Sequence, residues 1–142
     1  MLPIVLTKKQ NILIVGAGRA CQIKLKILSK IDCDITIVAQ EFPIDFKNLK
    51  HTKIIQDFYS LDKSFFEPFD LIYVGIALEN TTMIEYLAKI KMINILSNPS
   101  LSNFIHPCTR DNQDILVSVI NIKEKNPKKA CVLVEKFIKL LP

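Results

Sequence analysis

Apolar residues in this chain fall into short continuous runs separated by amphipathic stretches, and this alternation sets the expected elements. NILIV (11–15) is rich in β-branched residues and reads as a strand buried on both faces. RACQIKLKILSKI then shifts to a helical period, placing Ala20, Ile23, Ile27 and Leu28 on one face and Lys24, Lys26 and Lys30 mostly elsewhere. ITIVA (35–39) predicts a second strand, and KIIQD (53–57) a third after a loop containing Pro43. DLIYVGIA (70–77) predicts a fully buried strand, TTMIEYLAKIK (81–91) a helix capped by Asn80 or Thr81, and MINILS (92–97) a strand ending before Pro99. Strands alternating with helices predict an α/β domain over residues 1–97, built on a doubly wound parallel sheet.

Residues 98–142 have another texture. NPSLSNFIHPCTRDNQD is polar and interrupted by proline, and ILVSVIN (115–121) predicts one more strand. Asn126 and Pro127 then mark a helix start, with the proline where its missing N–H costs nothing. That helix carries Ala130, Leu133, Val134, Phe137 and Leu141 on one side. One strand and one helix cannot make a core alone, so this region must pack on the first domain or on a second subunit.

Only three glycines occur in 142 residues, and Gly16 and Gly18 are two of them. GAGRAC (16–21) is a G-x-G-x-x-small turn between strand and helix. The first glycine permits a tight turn, the second admits a pyrophosphate close to the backbone, and the helix N-terminus supplies N–H donors. The flanking elements favour a dinucleotide over a turn that binds nothing. The carboxylate that customarily ends the second strand is missing from Val38-Ala39-Gln40-Glu41. Either Gln40 or Glu41 reaches the ribose hydroxyls, or Glu41 is a solvated loop charge. Ligands of open α/β sheets bind beyond the carboxyl ends of the strands, where Ser97, Asn98 and His106 are expected. Of the two histidines, His51 reads as a loop residue and His106, beside Pro107, as the better candidate.

Composition narrows the classes. With 49% hydrophobic and 23% charged residues the chain has material for a core, and disorder is excluded. No apolar window is long enough for a transmembrane helix, and the start MLPIVLTKKQ lacks the features of a signal peptide. The net charge of +5 favours an acidic partner, but with arginine only at Arg19 and Arg110 nucleic acid is a poor fit. Cys21, Cys33, Cys108 and Cys131 show no CxxC and no ligand spacing with histidine. This argues against a metal site and a disulfide scaffold and fits a reducing cytoplasm. The Lys-rich run IKEKNPKK (122–129) reads as a solvated helix end or as an attractor of carboxylates.

Taken in order, these motifs resemble the NAD-dependent precorrin-2 dehydrogenase/sirohydrochlorin ferrochelatase family, also found as the N-terminal module of siroheme synthase. The residues that carry the resemblance are Leu2-Pro3-Ile4, ILIVGAGRACQIKLKIL with Lys24, ITIVAQ, LIYVGIAL, Asn94, Asn103-Phe104-Ile105-x-Pro107, and the final strand and Pro-initiated helix ending in LLP. The resemblance implies a Rossmann domain (1–97), a dimerisation region (98–142) and a homodimer. It implies NAD held by Gly16, Gly18, Arg19 and Ala20 at the first turn, with Gln40 and Glu41 after the second strand. The implied activity is hydride transfer from precorrin-2 to NAD, giving sirohydrochlorin, and some members also insert ferrous iron. The substrate carries eight carboxylates, which suits a basic protein. The family's important aspartate falls on Ser97, the candidate catalytic residue, with Asn98 and His106 as candidate substrate contacts. A serine accepts no proton near neutral pH without a partner base. Two other readings remain: a degenerate relative that binds NAD or tetrapyrrole without turnover, and an NAD-sensing regulatory domain. The last wants the ribose acid near position 39 and leaves NFIHP unexplained.

Overall fold

The computed structural model describes residues 5–47, 51–112, 115–122 and 127–140, and the chain divides into two units between Phe104 and Ile105. The first unit holds β1 (Gln10–Val15), α1 (Arg19–Leu28), β2 (Cys33–Ala39), α2 (Ile44–Lys47), β3 (Thr52–Ile55), β4 (Leu71–Val74), α3 (Thr82–Ile90) and β5 (Met92–Ile95). The five strands are parallel and lie in the order β3-β2-β1-β4-β5. This is the expected Rossmann-like sheet, and its strand order reverses between β1 and β4, the switch point where such sheets bind ligands.

Alternation along each strand builds a core on both faces. Ile12 and Ile14 of β1 pack with Ile35 and Ile37 of β2 and with Cys21, Leu25 and Leu28 of α1. Leu13 and Val15 point the other way, into a cluster with Ile84 and Leu87 of α3 and with Phe58 and Phe66. Each such fully buried aliphatic side chain contributes about 1.5–3 kcal/mol. The helix face agrees with the one read in the sequence at Leu28 and otherwise differs from it. Cys21, Leu25 and Leu28 are buried, whereas Ile23 and Ile27 are exposed. The i, i+4, i+7 set of Cys21 fits the 3.6-residue period as well as the i, i+3, i+7 set of Ala20, and the Gly16–Gly18 turn sets which one meets the sheet.

The first unit extends past position 97 because the following segment closes the open edge of β5. Asn103 Oδ1 accepts the Ile93 N–H at 2.7 Å, and Ser102 Oγ accepts the Ile95 N–H at 2.8 Å. Asn103 Nδ2 donates to Ala88 O and Lys91 O, and Asn94 Nδ2 donates to Phe104 O at 2.8 Å. Side chains thus replace a sixth strand, satisfying N–H groups that would otherwise template edge pairing.

The fourth strand stops at Val74, short of the run to residue 77. Gly75 follows, and a Cβ there would overlap Cys21 Sγ. The backbone of β4 therefore leaves the sheet directly against α1, and Cys21 is the small residue that the G-x-G-x-x-small turn requires. Burial pushes the Cys21 thiol up to about 11, so it is a packing group and no nucleophile at neutral pH.

In the second unit, β6 (Cys108–Asn112) pairs antiparallel with β7 (Ile115–Val119), and α4 (Pro127–Ile138) packs on both. Ala130 and Val134 are the buried residues of α4, while Leu133 and Phe137 are exposed. The polar strand β6 was not expected. Cys108 and Cys131 form a disulfide with their Cα atoms 5.4 Å apart, which corrects the reading of the four cysteines as unbridged. The reason is geometric: α4 lies over β6, so two cysteines without any motif spacing meet in space. Arg110 on β6 adds an ion pair to Glu135 on α4 at 3.0 Å. Leu2-Pro3-Ile4, the Asn126 cap and Leu141 lie outside the described residues.

Two outcomes are expected. Gly75→Ala lowers stability by about 1–3 kcal/mol, and adding Cys21→Ala, which removes only the Sγ, recovers most of the loss, measured by urea unfolding of the two variants. Reductant destabilises the second unit by about 3 kcal/mol, read from unfolding with and without dithiothreitol; equal stability contradicts the bridge.

Candidate functional site

The carboxyl ends of β1, β2 and β4 open into a cleft of about 380 Å³. Its floor is the turn from β1 into α1. Gly16 takes φ +101°, which only glycine adopts readily, and its N–H donates to Val38 O at 2.7 Å. A Cβ on Gly16 would also press on Ile76 Cγ2 and Gly75 O at 3.0 and 3.2 Å. Gly18 is different. Its φ of −78° suits any residue, and an added Cβ would meet nothing within 4 Å. The fold does not need glycine there; the bare backbone faces open space in the cleft.

Gly18 is also the N-cap of α1, with no side-chain cap and no acidic residue in the first turn. The first helical bond, Gln22 N–H to Gly18 O, leaves the N–H groups before it facing the helix N-terminal side, where their partial positive charge favours an anion. Arg19 and Ala20 are exposed in this first turn and adjoin the cleft in sequence, but they do not line it.

The wall formed by β2 and β3 carries Gln40, Glu41 and Asp57. Gln40 Nε2 donates to Asp57 Oδ1 at 2.9 Å, and Gln56 N–H donates to Ala39 O at 3.0 Å. The opposite wall carries Ile76, Ala77 and Glu79, and the Glu79 N–H donates to the Tyr59 hydroxyl at 2.6 Å. Among the described residues the lining includes three carboxylates, Glu41, Asp57 and Glu79, and no lysine or arginine.

Gly16, Gly18, Gln40 and Glu41 are therefore brought together in one cleft, as the sequence pattern expects. Ser97 lies outside the lining but is tethered to it, its exposed hydroxyl donating to Ile76 O at 3.1 Å. Asn98 caps the short 3-10 turn Pro99–Leu101, its Oδ1 accepting from Ser100 N–H and Oγ–H. His106 belongs to the second unit and is half-buried there. Sequence reasoning missed Asp57, Tyr59 and Glu79. Asp57 had a usable signal, since it closes the KIIQD run at a strand's carboxyl end.

Behind the cleft, on the α1 side of the sheet, the Lys24 ammonium lies 5.9 Å from the centre of the Tyr73 ring, and Phe104 meets that ring edge-on at 5.5 Å. Burial lowers the Lys24 pKa and raises that of Tyr73. No group of three or more His, Cys, Asp or Glu side chains among the described residues has a metal-holding arrangement. None of the described helices is long and apolar enough to cross a membrane.

Residues 4–108 match the family model described as "Putative NAD(P)-binding". A siroheme synthase of Baumannia cicadellinicola subsp. Homalodisca coagulata is 29% identical over 143 aligned positions, covering 95% of this chain and 30% of that protein. The chain thus spans under a third of that relative's length. Among solved structures, SirC, a precorrin-2 dehydrogenase, superposes with a TM-score of 0.72 at 17% identity, over 100% of this chain and 72% of that one. That likeness establishes the shared fold. The chain belongs to the NAD(P)-binding family whose model it matches, and within known proteins it is similar to a siroheme synthase and a precorrin-2 dehydrogenase.

Proposed function

We propose that this chain is an NAD-dependent precorrin-2 dehydrogenase of siroheme biosynthesis, acting as a homodimer. The observation that carries the reading is Gly18: a glycine whose backbone angles need no glycine, set at a helix N-terminus and facing open space. A group that must approach the backbone closely explains it, and a dinucleotide pyrophosphate is such a group. The similarity to a precorrin-2 dehydrogenase and to a siroheme synthase supports precorrin-2 as the substrate.

In this reading Gly16 and Gly18 admit the pyrophosphate, Arg19 and Ala20 present the first-turn N–H groups, and Gln40 and Glu41 face the adenosine ribose. NAD, when bound, supplies the hydride acceptor. Ser97 orients the substrate, with Asn98 as a further contact. Its hydroxyl already donates to Ile76 O, so it offers lone pairs and no basic group. Catalysis then rests mainly on holding the reacting carbon against the acceptor, which by orientation alone lowers a barrier by several kcal/mol. The second unit, whose exposed Leu116, Val132, Leu133 and Phe137 form an apolar supply for a partner, is the dimerisation region. Ferrous iron insertion rests on the family resemblance alone. Ser97 in place of a carboxylate favours one second reading, a relative that binds NAD or tetrapyrrole without turnover.

Anaerobic conversion of precorrin-2 to sirohydrochlorin, followed by absorbance, separates the two. NAD-dependent conversion is expected; none, with NADH still bound, establishes the binder. In Gly18→Asp the fold is retained, with a change in unfolding free energy within about 0.5 kcal/mol, and NADH binding is lost. In Ser97→Ala turnover falls by less than the ~100-fold that loss of a general base costs, and NADH affinity is unchanged.

A further inference from the structure

We propose that Asp57 reads the adenosine ribose and makes the cleft selective for NAD over NADP; the inference rests on the dinucleotide reading above. The carboxylate that usually performs this task ends the second strand, and here that position is held by Ala39 and Gln40. The structure supplies a carboxylate from the neighbouring strand instead. The Gln56 N–H to Ala39 O bond at 3.0 Å ties the exit of β3 to the exit of β2, and this sets Asp57 beside Gln40.

Asp57 is placed for a ligand rather than for its own turn. It is the N-cap of the 3-10 turn Phe58–Ser60, a position where an aspartate commonly accepts a turn N–H, yet its side chain makes no capping bond. The carboxylate instead lines the cleft and accepts from Gln40 Nε2 at 2.9 Å. An ionised carboxylate has about four lone-pair sites, so after that bond it retains capacity for the two ribose hydroxyls. Gln40 holds the carboxylate's orientation and is in this role a positioning residue.

The same arrangement rejects a 2′-phosphate. Glu41 and Asp57 share this wall, Glu79 stands opposite, and the lining holds no lysine or arginine among the described residues. A phosphate dianion would meet like charge where the 2′-hydroxyl meets an acceptor, and this disfavours the phosphorylated nucleotide.

The test is calorimetric titration of the full chain with NADH and with NADPH, for the wild type and for Asp57→Asn. The asparagine keeps an acceptor for Gln40 and removes the charge. Wild type is expected to bind NADH more than about tenfold tighter than NADPH. Asp57→Asn is expected to bind NADH more weakly and to narrow that preference to within about threefold. Equal wild-type affinities, or an unchanged preference in a folded Asp57→Asn, overturn the role of Asp57 while leaving the cofactor site standing. Failure to bind either nucleotide overturns the cofactor reading and this inference with it. The wild-type preference is measured first, and its absence overturns the role of Asp57 whether or not the variant folds.

Discussion

Where β1 passes into α1, three stretches of backbone come together with almost no side chain between them. Gly16 leaves the strand at φ +101°, with Ile76 Cγ2 and the Gly75 carbonyl pressing on the position a Cβ would take. Gly75 leaves β4 against Cys21 Sγ, and Val15 O accepts the Gly75 N–H at 2.8 Å. Because these groups pack so closely, the helix begins immediately beyond the strand ends, and its N-terminus opens onto the cleft. The phase of α1, the early stop of β4 and the opening between β1 and β4 all follow from this one crossing.

The sheet itself was legible because strands buried on both faces must be continuously apolar, as NILIV and LIYV are. The G-x-G spacing was legible for a related reason: glycine is rare in this chain, so two at one turn carry information. The phase of α1 was not. Ile23 and Ile27 satisfy the helical period and are more apolar than Cys21, yet they are exposed, because the turn and not hydrophobicity sets the rotation of the helix. Gly75, hidden in an apolar run, was the mark that β4 ends early.

What the sequence left unreadable depends on contacts distant along the chain. β6 is the polar run CTRDN, a strand because β7 pairs with it, and the Cys108–Cys131 bridge has no spacing signature. The role of Asn103 as a side-chain substitute for a sixth strand, and with it the end of the first unit at Phe104, depends on how that segment returns along β5. In the candidate site, Gly16, Gly18, Gln40 and Glu41 were legible because each sits at a strand end. Asp57 closes a run that reads as a strand, and its hydrogen bond to Gln40 shows that its carboxylate turns to the cleft.

The central claim is that the Gly16–Ala20 turn and the neighbouring strand ends hold a dinucleotide. It is tested most directly by following the backbone amide resonances of the isotopically labelled chain during titration with NADH. The account predicts saturable shifts concentrated at Gly16, Gly18, Arg19, Ala20, Gln40, Glu41 and Asp57. Saturable binding that leaves these amides unmoved and shifts others, or the absence of any shift, would contradict it.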